Sequence, residues 1–213
     1  METENTVSKR EEKENEVKRQ RQFFLMFIAA VFIIALLYFT GVFRALGIGS
    51  GDTSSTNTSA VSSENKYDDA DFSFEFIKPW KRLDATALEE IGSGFEIGVS
   101  RNDPDGLIGI KSQAISDPDT DLKKLGVALD EVMAERLEDF NSKGTEIVKI
   151  NGTEALKYSY DFLSSEGAKV AQRQYIFVKD DYAYYVVFHA SLDNFSKLEA
   201  DFDKIISTFK LKK

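Results

Sequence analysis

An uncharged run of 21 residues near the N-terminus, from Phe23 to Phe43, constrains this chain more than any other feature. Fourteen of these residues are Phe, Leu, Ile or Val, and strongly polar segments flank the run on both sides. As an α-helix at about 1.5 Å per residue, the run extends roughly 31 Å, which matches the ~30 Å hydrocarbon thickness of a bilayer. The sequence therefore predicts a transmembrane helix over residues 23–43.

Two other interpretations of this run are weaker but stay open. A helix that packs on the core of a soluble domain normally keeps one polar face, and this run has none. A cleaved signal peptide normally has an apolar region of only about 7–15 residues, although Ala45-Leu46-Gly47 loosely resembles a cleavage site. A lipoprotein anchor needs a cysteine, and the chain has none. We expect an uncleaved signal anchor.

The charges beside the run predict its orientation. Three cations lie between Lys18 and Arg21, whereas only Arg44 precedes Lys66 on the other side. Cytoplasmic flanks carry the excess of Lys and Arg, so everything after the run is expected outside the cytoplasm. Residues 1–22 contain six basic and six acidic side chains and few hydrophobic ones, which predicts a disordered cytoplasmic tail.

Composition then separates a linker from a globular domain. Residues 44–67 are rich in Gly, Ser, Thr and Asn, which predicts a flexible linker with a root-mean-square reach of about 25 Å. Residues 68–213 are expected to form one extracytoplasmic domain. The segment 66–213 holds 20 basic and 28 acidic residues, and the whole chain has a net charge of −9. This acidity argues against nucleic acid as a partner and against adhesion to anionic lipid, and it favours a protein partner.

Within the domain, alternating hydrophobicity and turn residues predict strands. An Asn151-Gly152 pair between two alternating runs is a strong hairpin signal, and Asn102–Gly106 predicts a second turn. The expected strands are Phe72–Phe76, Phe95–Val99, Leu107–Ile115, Glu146–Ile150, Glu154–Leu163, 170–178 and 182–190.

Two helices complete the predicted domain. Hydrophobic residues spaced by three and four positions predict a helix over 118–142, with Asp117 as its N-cap and Gly144 as its terminating glycine. A second helix is expected over 193–208. The runs Tyr175–Val178 and Tyr184–Phe188 are apolar at consecutive positions, so both faces of the sheet need cover. We therefore predict an α+β fold, an α/β/α sandwich around a mainly antiparallel sheet of six or seven strands, with the transmembrane helix attached.

Three segments of the domain resemble the PsbP-like family, whose namesake is an extrinsic subunit of photosystem II. They are the aromatic strand and Pro…Trp corner of Phe72–Trp80, the Gly-containing hairpin of Val148–Ala155, and the closing segment Phe202–Phe209. The resemblance covers residues 72–210 and implies an α/β/α sandwich that binds other proteins, usually without chemistry. The predicted anchor and cytoplasmic tail depart from that family and place any photosynthetic role in doubt.

Candidate chemistry is sparse. His189, the single histidine, lies on a predicted strand and is either a proton switch or metal ligand or a packed core residue. The Asp117–Asp121 segment begins like a calcium loop, but the sixth and twelfth places hold Leu122 and Ala128 instead of Gly and Glu, so a helix cap is favoured. The Asn102–Gly106 segment is likewise interpreted as a turn in preference to an ion site. We assign no catalytic residue, cofactor or metal ligand.

The aromatic side chains of Trp80, Tyr182, Tyr184 and Tyr185 form a candidate binding face, although their apolar neighbours also suit core packing. The sequence therefore predicts a membrane-anchored, non-enzymatic binding module, an accessory or scaffold subunit for another envelope protein. A small-molecule or metal-ion receptor domain is the first alternative, and an envelope hydrolase is the second.

Overall fold

The computed structural model describes residues 65–91, 94–115, 120–164 and 167–212. The strands are β1 (Lys66–Asp68), β2 (Phe72–Glu75), β3 (Lys81–Arg82), β4 (Ile97–Asn102), β5 (Asp105–Ala114), β6 (Glu138–Ile150), β7 (Thr153–Leu163), β8 (Lys169–Lys179), β9 (Tyr182–Ser191) and β10 (Lys210–Leu211). The helices are α1 (Ala85–Ile91), α2 (Leu122–Arg136) and α3 (Leu192–Ile206).

These strands form two sheets in which every paired neighbour is antiparallel. The large sheet has seven strands in the order β3-β4-β5-β9-β8-β7-β6, and the small sheet has the order β1-β2-β10. Consecutive strands joined by short turns account for the pairs β4–β5, β6–β7 and β8–β9. The predicted antiparallel sheet is confirmed, and it has seven strands, the larger of the two expected numbers.

The large sheet is covered on both faces, as its apolar central strands require. Alternate residues of β9 enter two separate cores, with Tyr185 and Val187 on one side and Val186 and Phe188 on the other. Helix α2 packs on the first side, which we call the α2 face, and α3 packs on the second, the α3 face. The predicted sandwich with one long helix on each face is therefore confirmed.

The β6–β7 turn follows the sequence prediction. Asn151 and Gly152 have φ values of 49° and 91°, the left-handed pair that a two-residue hairpin turn needs. The Asn151 side chain also donates hydrogen bonds to the carbonyl oxygens of Ser207 and Phe209, at 2.7 and 2.8 Å. The turn thus fixes β6 and β7 against the segment that follows α3.

The helix predicted over 118–142 is wrong at both ends. Helix α2 begins after Asp121, whose carboxylate accepts hydrogen bonds from the backbone N–H groups of Lys123 and Lys124. The expected cap, Asp117, lies outside the described residues. At the other end the helix stops at Arg136, and strand β6 starts at Glu138.

Pairing with β7 explains the early end of α2. Residues 138–142 face the last residues of β7, and Asp139 has a φ of 50°, which no right-handed helix accepts. Phe140 still packs against the core of the α2 face, but it does so from a strand. Its helical spacing after Leu137 was therefore misleading, and Gly144 lies within β6 instead of ending a helix.

Several boundaries differ from the sequence prediction in smaller ways. Strand β1 begins at Lys66, two residues before the expected start of the domain at Asp68. The short helix α1 and the strands β1, β3 and β10 were not predicted. The predicted tail, the transmembrane helix 23–43 and the linker up to residue 64 lie outside the described residues. Among the helices that the structure describes, none combines the length and apolar character needed to cross a bilayer.

Candidate functional site

A cleft of about 530 Å³ opens on the α3 face of the large sheet, beside β6. One wall is the N-terminal half of α3, with Leu192, Phe195 and Glu199, and the other is the segment 143–146 of β6. Arg173 of β8 lies between these walls. We call this concave surface the β6 cleft.

Irregular pairing in β6 shapes one wall of the cleft. The register with β7 shifts between Glu138 and Asn141 and again between Ser142 and Thr145. Gly144, with a φ of 91°, supplies the backbone conformation for the second shift, where an L side chain would be strained. Bulges of this kind bend a strand and redirect its side chains. The wall is therefore a bent part of β6 that the alternation of the sequence does not reveal.

The other wall is held in place by a half-buried polar corner. One carboxylate oxygen of Asp201 in α3 accepts hydrogen bonds from Trp80 Nε1 at 2.8 Å and from Arg101 Nη1 at 2.6 Å. The Arg101 guanidinium also lies 5.9 Å from the centre of the Trp80 ring. These contacts tie α3 to β4 and to the segment before β3, so the helix presents Phe195 and Glu199 at a fixed position.

Charged side chains around the cleft are paired across its elements. The ion pairs are Lys143–Asp161 at 2.6 Å, Lys157–Glu146 at 3.5 Å and Arg173–Glu199 at 2.5 Å. The lining thus has equal numbers of cations and anions, whereas the chain as a whole has a net charge of −9. A surface of this kind matches a polar partner that carries both signs of charge.

Arg173 is the most enclosed cation of the cleft. Its side chain is only 11% exposed, and its guanidinium lies 5.4 Å from the centre of the Phe195 ring. Besides Glu199, it contacts the carboxylate of Asp203 at 3.3 Å. An arginine that is stacked on an aromatic ring and held by carboxylates has little conformational freedom left to lose on binding.

The four aromatic residues proposed from sequence do not form one surface. Trp80 and Tyr184 are buried in the core of the α3 face, and Tyr185 is buried in the core of the α2 face. Only Tyr182 among the four is exposed, at 46%. The proposed face is therefore divided by the sheet, because Tyr184 and Tyr185 are consecutive in β9 and point to opposite sides.

His189 does not line the cleft, although its strand neighbour Gln172 does, and its side chain is fully buried on the α2 face of β9. Burial lowers the pKa of its imidazole from 6.5 to about 3, so the ring is neutral at pH 7. The hydrolase interpretation needs His189 or a pair of acids converging in a cleft, and His189 is not among the residues that line this one. This placement favours a packed histidine.

In the two candidate calcium segments, the residues that the structure describes have local structural roles. Asp121 caps α2, and Asn102 and Asp105 pair with each other at the β4–β5 hairpin. Across the part of the chain that the structure describes, no three His, Asp or Glu side chains group in a way that would hold a metal ion.

A buried polar group on the α2 face was missed by the sequence analysis. The Tyr160 hydroxyl donates to Gln172 Oε1 and accepts a hydrogen bond from Gln174 Nε2 at 2.8 Å, and all three side chains are buried. Lys111 of β5 is only 6% exposed, with its ammonium 5.4 Å from the centre of the Tyr185 ring. Burial lowers the pKa of Lys111 to about 8. The signal in the sequence was polar residues at strand positions whose neighbours are apolar.

Comparison with solved structures identifies the same architecture in two proteins of low sequence identity. The solution structure of cyanobacterial PsbP (CyanoP) from Synechocystis sp. PCC 6803 aligns with a TM-score of 0.52 at 12% identity, covering 74% of this chain and 98% of that one. LpqN of Mycobacterium tuberculosis, which is involved in cell envelope biogenesis, aligns with a TM-score of 0.50 at 12% identity, covering 72% and 87%. At this identity the likeness concerns the fold alone.

Sequence comparison gives a more specific result. No curated protein matches the chain. The family described as PsbP-like protein, however, matches residues 25–211, which include every described strand and helix of the domain. This match agrees with the resemblance seen in the aromatic strand, the central hairpin and the closing helix. The chain therefore belongs to the PsbP-like protein family.

Proposed function

We propose that this chain is a membrane-anchored, non-enzymatic accessory protein whose domain lies outside the cytoplasm and binds another envelope protein through the β6 cleft. The observation that carries the proposal is the lining of the cleft, where paired charges surround Arg173 and the ring of Phe195. The anchor is residues 23–43, and the linker that attaches the domain to it ends before strand β1 begins at Lys66.

The cleft has the features of a protein-binding surface more than those of a small-molecule pocket. Its charged residues alternate in sign, and several stay accessible, with Glu146 65% exposed and Lys143 51% exposed. Energetically important interface residues are enriched in arginine and aromatic side chains, and they are commonly enclosed by polar residues. Arg173 and Phe195 have this arrangement, with Glu199 at their rim.

Two further facts support the cellular setting of the proposal. The 21-residue uncharged run has the length of a membrane-spanning helix, and its flanking cations predict an N-terminus in the cytoplasm. LpqN, which shares the fold, is a protein of cell envelope biogenesis. We extend only this general setting, a role connected with the cell envelope, to this chain.

Exchange of one ion pair in the cleft tests the proposal. The double variant Lys157→Glu/Glu146→Lys keeps an ion pair between β6 and β7 but reverses the charges that a partner meets. Affinity capture of the tagged full chain from crosslinked membranes should recover one specific protein with the natural sequence. The variant should recover about tenfold less, as expected when a complementary charge becomes a like charge.

The matched control exchanges a pair in strand β1, Lys66–Asp68, as Lys66→Asp/Asp68→Lys. It should recover the partner in full, because neither residue lines the cleft. Equal recovery with both variants would overturn the cleft as the binding surface. Recovery of nothing specific by the natural chain would overturn the accessory function.

The membrane orientation has a separate test. Protease added to intact cells should cleave the linker and release the domain, while residues 1–22 stay protected. Protection of the domain in intact cells, with cleavage only after permeabilisation, would reverse the proposed orientation.

A further inference from the structure

A second cleft, of about 340 Å³, lies where the described chain begins. Asn65 borders it, and the carbonyl oxygen of Asn65 accepts a hydrogen bond from Phe76 N–H at 2.9 Å. This bond fixes the start of the domain beside the end of β2. Lys78, Lys204 and Thr208 also border the cleft. We call this surface the tether-end cleft, because the predicted linker joins the domain here.

The tether-end cleft is locally basic in an acidic protein. Its lining includes two cations, Lys78 and Lys204, and a single anion, Glu75. Glu75 lies opposite Lys66 in the β1–β2 pair. The hydrogen bond and charge of Asp68, with a smaller contribution from the charge of Glu75, raise the pKa of the Lys66 ammonium. Within the described ranges, neither Lys78 nor Lys204 forms an ion pair with a carboxylate, and both are exposed. Both ammonium groups are therefore available to an external anion.

The walls of the tether-end cleft are joined by a fixed set of hydrogen bonds. Thr208 Oγ1 accepts a hydrogen bond from Glu75 N–H at 2.8 Å and lies 2.7 Å from the carbonyl oxygen of Ile205. These contacts connect the last turn of α3 to β2 and hold the backbones that carry Lys204 and Lys78 on either side of the cleft. The two lysines are therefore carried by segments that these hydrogen bonds join.

We infer that the tether-end cleft binds the phosphate groups of anionic phospholipid headgroups, an inference that rests on the membrane anchor proposed above. A linker with a reach of about 25 Å keeps the residues nearest its attachment point close to the bilayer. Electrostatic attraction to anionic headgroups acts over a Debye length of about 8–10 Å. The lysines at the tethered end of the domain are therefore the ones placed to be attracted. The acidic remainder of the domain is repelled by the same surface.

This contact has a consequence for the β6 cleft. Lys204 lies in the last turn of α3, whereas Leu192 and Phe195 of the β6 cleft lie in its first turn. Binding headgroups at the C-terminal end of α3 therefore directs its N-terminal end away from the membrane. The domain then presents the β6 cleft outward, where a protein partner can reach it.

Amine labelling of the full chain in lipid nanodiscs tests the inference. Acetylation of each lysine is followed by mass spectrometry in neutral discs of phosphatidylcholine and in discs that also contain phosphatidylglycerol. Lys78 and Lys204 should react about fivefold more slowly in the anionic discs, the effect expected for a lysine near a charged bilayer surface. Lys169, whose side chain is 57% exposed and lies outside the cleft, should react at the same rate in both. High salt should remove the difference.

Two variants and one added anion complete the experiment. Lys204→Gln should weaken the protection of Lys78, and the control variant Lys169→Gln should leave it unchanged. Inorganic phosphate is added to neutral discs to distinguish a free anion from a headgroup. Protection by inorganic phosphate at millimolar concentration would show a soluble phosphate site and overturn the assignment to lipid.

The remaining outcomes separate this inference from the function on which it rests. Equal labelling of Lys78 and Lys204 in neutral and anionic discs, with the protein still bound to the discs, would overturn the headgroup site and leave the anchor intact. A chain that elutes apart from the discs would contradict the anchor, and the headgroup site would fail with it.

Discussion

Each face of the large sheet is covered by one long helix, but the two cores contain different kinds of side chain. On the α3 face, aromatic rings fill the core, with Phe202 lying 4.8 Å from Phe188 and 5.7 Å from Trp80 between ring centres. On the α2 face, the core also contains Lys111 and His189. The hydrophobic residues of both cores are buried, so the chemical difference between the faces lies in the polar residues buried with them.

The difference indicates where the domain gains and where it loses stability. Apolar contact on the α3 face is favourable, and at its polar corner Asp201 accepts hydrogen bonds from both Trp80 and Arg101. Burying Lys111 and His189 on the α2 face disfavours their charged forms, so this side loses stability whenever pH favours protonation. The α3 face should therefore be sensitive to truncation, and the α2 face to pH.

Truncation of Phe202 should give the largest effect. Phe202→Ala removes a fully buried ring that contacts Trp80, Phe188 and Phe195. The free energy of unfolding should fall by about 3–5 kcal/mol, measured by denaturant unfolding. Val127→Ala, at a residue 61% exposed, is the control and should change it by less than about 0.5 kcal/mol. A loss of under about 1 kcal/mol for Phe202→Ala would show that this core is not tightly packed.

Removal of the Lys111 charge should stabilise the protein. The pKa of Lys111 falls from 10.5 in the unfolded chain to about 8 in the fold, so the penalty is complete below pH 8 and disappears as the pH rises to 10.5. Lys111→Met should therefore raise the free energy of unfolding at pH 7 by about 2–3 kcal/mol. The gain should vanish near pH 10.5.

The exposed lysine Lys149 provides the matched control for Lys111. Lys149→Met should leave the free energy of unfolding nearly unchanged at both pH values, because its ammonium is solvated in the folded state. Destabilisation by Lys111→Met at pH 7 would show that the ammonium has a favourable partner in the native protein.

His189 should make the domain sensitive to acid. The pKa of its imidazole is lowered from 6.5 in the unfolded chain to about 3 in the fold. As the pH falls through this range, the unfolded chain binds a proton that the folded protein does not. The free energy of unfolding should therefore fall by about 2 kcal/mol between pH 6.5 and 5. His189→Gln should remove that part of the pH dependence and leave the part due to carboxylates. Parallel stability–pH curves for the two proteins would contradict a buried, neutral histidine.

The corner that holds α3 should give the smallest of these effects. Asp201→Asn keeps a hydrogen-bond acceptor for Trp80 but removes the charge that faces Arg101. Because the Asp201 side chain is 23% exposed, the free energy of unfolding should fall by only about 1 kcal/mol. The difference should shrink in high salt, and a salt-independent loss would indicate displaced packing instead of a weakened ion pair.

The sequence predicted the sandwich because each of its signals acts locally. Asn151-Gly152 specifies a hairpin through two left-handed residues, and the doubly apolar strands β8 and β9 require cover on both faces. The helix 118–142 was overextended because Phe140 continued the helical spacing while its backbone paired with β7. Pairing between strands of this kind cannot be detected from the local spacing of hydrophobic residues.

The candidate sites were predicted less well than the fold. Trp80 and Tyr185 were grouped by residue type, but the sheet separates them. The β6 cleft depends on the bulge at Gly144 and on the approach of α3 to β8, and both arise from contacts between residues far apart in sequence. The tether-end cleft is likewise lined by Lys78 and Lys204, which are far apart in the sequence.

Photo-crosslinking from each side of the sheet tests the central claim, that this domain binds an envelope protein through the β6 cleft. A photoreactive amino acid replaces Glu199 at the cleft, or Val127 on the outer side of α2, in the full chain in native membranes. Illumination should give one discrete adduct of higher mass from position 199 and none from position 127. An adduct from 127 alone, or the same adducts from both, would contradict the assignment of the cleft as the binding surface.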